Sequence, residues 1–131
     1  MLAMFTLTQT LAILLGLYMI SAGIGLLTDS SGFAGMIDTI KTNPAMTYLA
    51  AIMAFAIGGT FVALHNLWTT PLEIIVSLIG WVALIEGVLM LAFRKPFFTL
   101  IGAIPLNAVV MRAYGLFVIA LALALFFLVF A

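Results

Sequence analysis

Glu86 is the side chain best placed to do chemistry in this sequence. It stands in the apolar run GWVALIEGVLMLAF, where a carboxyl group is costly and by default marks a functional site. Seven positions separate it from Phe93 at the end of the run. A helix rising 1.5 Å per residue places it roughly 10 Å inside that boundary. Arg112 opens the next apolar run. The two depths differ by about 6 Å on the same rise, a gap that long side chains bridge. Glu86 therefore has three readings: a compensated ion pair with Arg112, an ion or proton site, or a contact with a partner protein.

His65, Asn66, Trp68 and Glu73 form a second polar cluster, around the turn between two apolar runs. Histidine carries protons and binds metals. One histidine with one nearby carboxylate falls short of the three or four ligands zinc needs, so no metal is expected. A His65–Glu73 contact across the turn is the simpler reading, with Trp68 as an interfacial anchor. Glu86 lies roughly 20 Å further along its helix, too far to share a site with His65 within one subunit.

Nothing in the remaining residues points to an enzyme. Ser21 and Ser77 have no histidine within their own runs to act as base, and Asp29 and Asp38 sit near Lys41 in a polar connector. The chain has no cysteine, which excludes thiol and iron–sulfur chemistry. No Gly-rich phosphate loop is present, and no cofactor is expected. A formal net charge of zero argues against binding nucleic acid through phosphate contacts.

The elements that must position these residues follow from composition. Of the 131 residues, 67% are hydrophobic and 6% charged, against roughly a quarter charged in a soluble domain. The lipid bilayer is the expected solvent. Four runs are long enough to span it: about Leu7–Leu27, Ala45–Leu67, Leu72–Phe93 and Ala108–Phe130. The breaks are TDSSG at Thr28–Gly32 continuing to KTNP at Lys41–Pro44, WTTP at Trp68–Pro71, and Arg94-Lys95-Pro96 continuing through Pro105. The expected fold is all-α, a single four-span domain arranged as a four-helix bundle. The opening MLAMFTLTQT has no basic residue, so the first run reads as a retained span, not a cleaved signal.

Lys41, Arg94, Lys95 and Arg112 all fall on one side of such a topology. The positive-inside rule makes that side cytoplasmic and places both termini outside. Within the basic connectors, Phe33, Met36, Ile37 and Ile40 recur at helical spacing, as do Phe97, Leu100, Ile101 and Ile104. Each set reads as a short helix in the headgroup layer, or as a plug folded back on the spans.

The chain also matches itself at a shift of 64 positions. Gly16 falls on Gly80, Gly23 on Gly87, Phe33 on Phe97, Ile37 on Ile101 and Asn43 on Asn107. Two parallel helix-pair repeats, about 9–67 and 73–131, are expected, related by an axis along the membrane normal. Glu86 corresponds to Ala22 and Arg112 to Tyr48, so the second half alone holds both charges.

Small residues recur every four positions: Ala50, Ala54 and Gly58; Ala12 and Gly16; Ala83 and Gly87. Such faces let helices approach closely, within the chain or against another. Gly23 and Gly25 fit either use. The leading functional expectation is a non-enzymatic accessory or scaffold subunit, packing through these faces on itself as a homo-oligomer or on a larger membrane complex. The alternatives are a small oligomeric ion channel or proton-coupled transporter using Glu86, and a protein whose amphipathic helices sense or shape the membrane.

From about Glu73 onward the chain resembles a family of small, uncharacterised two-span bacterial inner-membrane proteins. The matching positions are Glu86-Gly87 ending a span, Pro96 in the connector, and Arg112-Ala113-Tyr114-Gly115 opening the next span. The resemblance covers under half the chain, and the first half departs from it at the charged positions. It implies a bacterial inner-membrane location and no known activity. It also implies that Glu86 and Arg112 belong to one recurring structural device.

Overall fold

The computed structural model describes residues 5–102 and 104–130; the first four residues of the opening segment lie outside it. Six helices account for nearly all of it: α1 (Leu7–Thr28), α2 (Ser30–Thr42), α3 (Pro44–Leu64), α4 (Pro71–Ala92), α5 (Arg94–Ile101) and α6 (Ala108–Phe130). Helices α1, α3, α4 and α6 are long and apolar enough to cross a membrane. The chain is thus an all-helical, multi-pass membrane protein. Only a minority of each span is buried, and large apolar side chains such as Leu17, Tyr18, Phe117 and Phe127 are exposed, as suits a lipid solvent.

Polar residues set the helix starts. Thr6 and Thr70 cap α1 and α4, each in a capping box completed by Gln9 or Glu73. Such boxes satisfy amide groups that have no carbonyl partner inside the helix. The Asn43 side chain accepts from the amides of Ala45 and Met46 at the start of α3. The Asn107 side chain accepts from Val110 at the start of α6. Thr28–Gly32, expected as a break, is helical except at Asp29. Asp29 ends α1 and at once caps α2 by accepting from Gly32. Conversely, α5 stops at Ile101, and Ile104 lies beyond it. Gly102 is a poor helix former, and Pro105 disfavours helical backbone at Ile104.

The spans pair as α1 with α6 and α3 with α4. Gly16 meets Phe126 while Gly23 meets Ile119 and Gly115, so α1 and α6 run antiparallel. Gly80 meets Phe61 while Gly87 meets Phe55 and Ala51, so α3 and α4 do the same. Buried positions on α6 are Met111, Gly115, Val118, Ala122, Leu125 and Val129. Their steps alternate between four and three, the pattern of the seam in left-handed helix packing. The element starts Leu7 and Pro71, Ser30 and Arg94, Pro44 and Ala108 are each 64 residues apart.

The apolar core lies at one end, where Ala12, Leu72, Val76, Leu125 and Val129 pack together. The other end carries Lys41, Arg94 and Lys95 and holds two cavities.

Candidate functional site

At the end bearing the core, a buried histidine ties three segments together. His65 follows α3 and is 1% exposed. Its Nε2 lies 2.8 Å from the Thr8 hydroxyl of α1, and its Nδ1 lies 3.0 Å from the Ser77 hydroxyl of α4. Ser77 also accepts from the Leu67 amide and donates to the Leu67 carbonyl at 2.7 Å. A serine beside a histidine is the start of a nucleophilic site, but Ser77 is 1% exposed and its hydroxyl proton serves the backbone. This arrangement anchors the chain between α3 and α4.

The expected polar cluster at this turn is therefore divided. His65 turns inward to Thr8 and Ser77, and Glu73 takes the α4 capping box instead of meeting His65. Asn66 accepts from Trp68 Nε1 at 2.7 Å and from Trp81 Nε1 at 3.2 Å. Among the described residues, no group of three or more His, Cys, Asp or Glu could hold a metal ion.

At the opposite end, Arg94 latches α5 to the junction of α2 and α3. Its Nε donates to the Thr47 hydroxyl at 3.2 Å and its Nη2 to the Lys41 carbonyl at 3.2 Å. Thr47 is fully buried and donates to the Ile40 carbonyl. Helix C-terminal carbonyls lack partners within their own helix. Thr47 and Arg94 supply two of them for α2. The Lys41 ammonium in turn lies over Gly102 at the end of α5, 3.1 Å from where a Cβ would stand. A cation there also suits the negative end of the helix dipole.

Two cavities adjoin this latch. One, of about 550 Å³, is lined by Lys41, Thr42, Arg94, Lys95, Phe98, Thr99 and Gly102. The other, of about 420 Å³, is mainly apolar and is walled by Ile37, Ile40, Ala50, Met90, Ile101 and Met111, among others. Glu86, Tyr114 and Lys41 are its titratable members.

Glu86 thus faces this cavity, and Arg112 does not. On α6 the lining residues are Val110, Met111 and Tyr114. At 3.6 residues per turn, Arg112 projects about 150° away from the middle of that face. No hydrogen bond or ion pair joins Glu86 to Arg112.

The small-residue faces lie largely between this chain's own helices. Ala12, Gly16, Gly58 and Gly87 are buried, while Ala50, Ala54 and Ala83 are half-buried. A Cβ on Gly58 would strike the Leu84 backbone, and one on Gly87 would lie 2.5 Å from Phe55 N. On α3 the innermost residues are Thr47, Ala51 and Gly58. The buried seam therefore runs through Ala51, one position from Ala50, because Gly87 packs over the Ala51 carbonyl.

Sequence reasoning missed Thr8 and Thr47, and named Tyr114 only within the Arg112–Gly115 motif without joining it to Glu86. Tyr114 lies 28 positions from Glu86, and no spacing rule joins them. Thr47 carried a usable signal, since a polar residue one turn into a span needs an acceptor. No family profile, curated protein or solved structure matches this chain, so the reading of the site rests on its geometry.

Proposed function

We propose that this chain is a non-enzymatic membrane protein that holds a lipid-like molecule in the cavity beside Glu86. The carrying observation is the form of that space: about 420 Å³, walled by apolar side chains of five helices, with only a few polar groups among them. Small-molecule sites have this character.

Binding is favoured over conduction. Beyond the cavity the spans close on Ala12, Leu72, Val76, Leu125 and Val129, an apolar plug. The titratable group at that end, His65, is tied to Thr8 and Ser77, with Ser77 about 14 Å along α4 from Glu86. The scaffold reading is weakened because Gly16, Gly58 and Gly87 are already covered by this chain's own side chains and backbone. The lipid-binding reading replaces the expected accessory or scaffold role, with the cavity as the working part and the bilayer as the source of its ligand.

In this reading the basic end is cytoplasmic, both termini lie outside, and α2 and α5 lie in the headgroup layer. The two halves are duplicated units related by an axis along the membrane normal. The common spacing of 64 residues between element starts supports this. So do the contacts: Gly23 with Gly115 and Ile119 corresponds, at the same shift, to Gly87 with Ala51 and Phe55.

The test is native mass spectrometry of the protein extracted gently from its own membrane. A retained lipid-like mass, lost in Ala50→Phe, is the expected result. Protein free of such ligands would overturn the reading. So would proton flux in liposomes that disappears in Glu86→Gln, which would establish a transporter instead.

A further inference from the structure

We infer that Lys41, Arg94 and Lys95 receive the phosphate headgroup of an anionic phospholipid whose acyl chain enters the apolar cavity beside Glu86. This rests on the proposed ligand-binding role of that cavity and supplies the chemical class of the ligand.

The two cavities are neighbours with a common wall. Lys41, Phe98 and Gly102 line both. The space on one side of that wall is cationic, and the space on the other is apolar. A molecule filling both must have an anionic head joined to an apolar body. The bilayer around the spans consists of such molecules.

The charge pattern selects the head. The basic cavity brings together three of the four Lys and Arg residues of the whole chain. No carboxylate lines it, so three basic residues border one space that holds no acidic one. Arg94 is held by its bonds to Thr47 and the Lys41 carbonyl. Those bonds use Nε and one Nη2 proton, and the guanidinium keeps further donors free. Basic pockets near the cytoplasmic ends of spans are established as headgroup sites in other membrane proteins. A zwitterionic choline head would bring a fourth cation towards the three and is disfavoured.

Glu86 supports the same orientation. It lines only the apolar cavity. Its carboxyl group disfavours a phosphate placed there, so the head belongs on the lysine side and the chain on the Glu86 side.

The test uses the full-length protein in nanodiscs of equal phosphatidylglycerol and phosphatidylcholine, with retained lipids counted by native mass spectrometry. Wild type should retain phosphatidylglycerol in preference to phosphatidylcholine. The Lys41→Gln/Lys95→Gln double variant should lower that preference by about tenfold or more, the scale expected for two basic residues at a charged surface. Arg94 is left intact because it latches α2. Ala50→Phe should reduce retention of both lipids. Added inorganic phosphate should not displace the bound lipid; displacement would mean that the site reads a free anion, and the lipid assignment would fall. Equal retention of both lipids would end the headgroup assignment and leave the apolar cavity reading standing. No retained lipid of either kind would end both.

Discussion

Gly23 of α1 and Gly115 of α6 cross so closely that a Cβ on either would lie 3.0 Å from the carbonyl oxygen of the other. The backbone approach is reciprocal, and the Ile119 side chain at Gly23 and Leu26 Cβ at Gly115 crowd the same space, so backbone and side chains must both shift to admit a methyl group. Gly23→Ala and Gly115→Ala should each destabilise the protein by about 1–3 kcal/mol, the usual cost of overpacking. Thermal unfolding in detergent would show this, and an unchanged midpoint would contradict the close approach.

Gly35 provides the opposite case. It lies within α2, and a Cβ there would meet nothing within 4 Å. Gly35→Ala should leave packing intact and stabilise the helix by about 0.5–1 kcal/mol through lower backbone entropy in the unfolded chain. The same unfolding measurement, run beside Gly115→Ala, separates glycine used for space from glycine without a packing role.

His65 joins Thr8 to Ser77 where water is excluded. His65→Ala strips the Thr8 hydroxyl of this partner, leaves Ser77 held only by backbone groups, chiefly those of Leu67, and should cost about 1–3 kcal/mol. Hydrogen exchange of the α1 and α4 starts should quicken, because these are the segments the ring holds. Protection confined to its wild-type level would argue against this role.

Arg94 reaches the Thr47 hydroxyl and the Lys41 carbonyl through different nitrogens. A lysine ammonium cannot reproduce that fork. Arg94→Lys should therefore cost about 1 kcal/mol despite keeping the charge. Faster proteolysis between α2 and α3 is the expected sign, and cleavage at the wild-type rate would speak against the latch.

Glu86 faces the cavity, and Arg112 projects from another side of α6. A double-mutant cycle with Glu86→Gln and Arg112→Gln should accordingly be additive within about 0.5 kcal/mol. A coupling well above that would restore the ion pair suggested by the sequence.

The sequence determined the spans to within about three residues: Leu7–Leu27, Ala45–Leu67, Leu72–Phe93 and Ala108–Phe130 became Leu7–Thr28, Pro44–Leu64, Pro71–Ala92 and Ala108–Phe130. Span length and hydropathy are set by the bilayer, a constraint that each segment meets locally. The caps Thr6, Asn43 and Thr70 went unread, although each acts within its own first turn and so left a local signal. The amphipathic stretches were visible as patterns. Their ends were less so, because Asp29 could serve two helices at once and Gly102 could stop a third.

Partners distant in the chain were decided only by the tertiary structure. Glu86 was identified from its cost in an apolar run, yet Tyr114 joined it across the cavity and Arg112 did not, because the rotation of α6 depends on how Gly115 packs against Gly23. His65 chose Ser77 over the nearer Glu73 because burial made a neutral hydroxyl a better partner and Glu73 was needed at the start of α4. Arg94 and Lys41 lie 53 residues apart, and their meeting required the ends of α2 and α5 to come together. Local chemistry could be read along the chain, whereas the cavity arose from helix rotations fixed by backbone contacts between distant glycines.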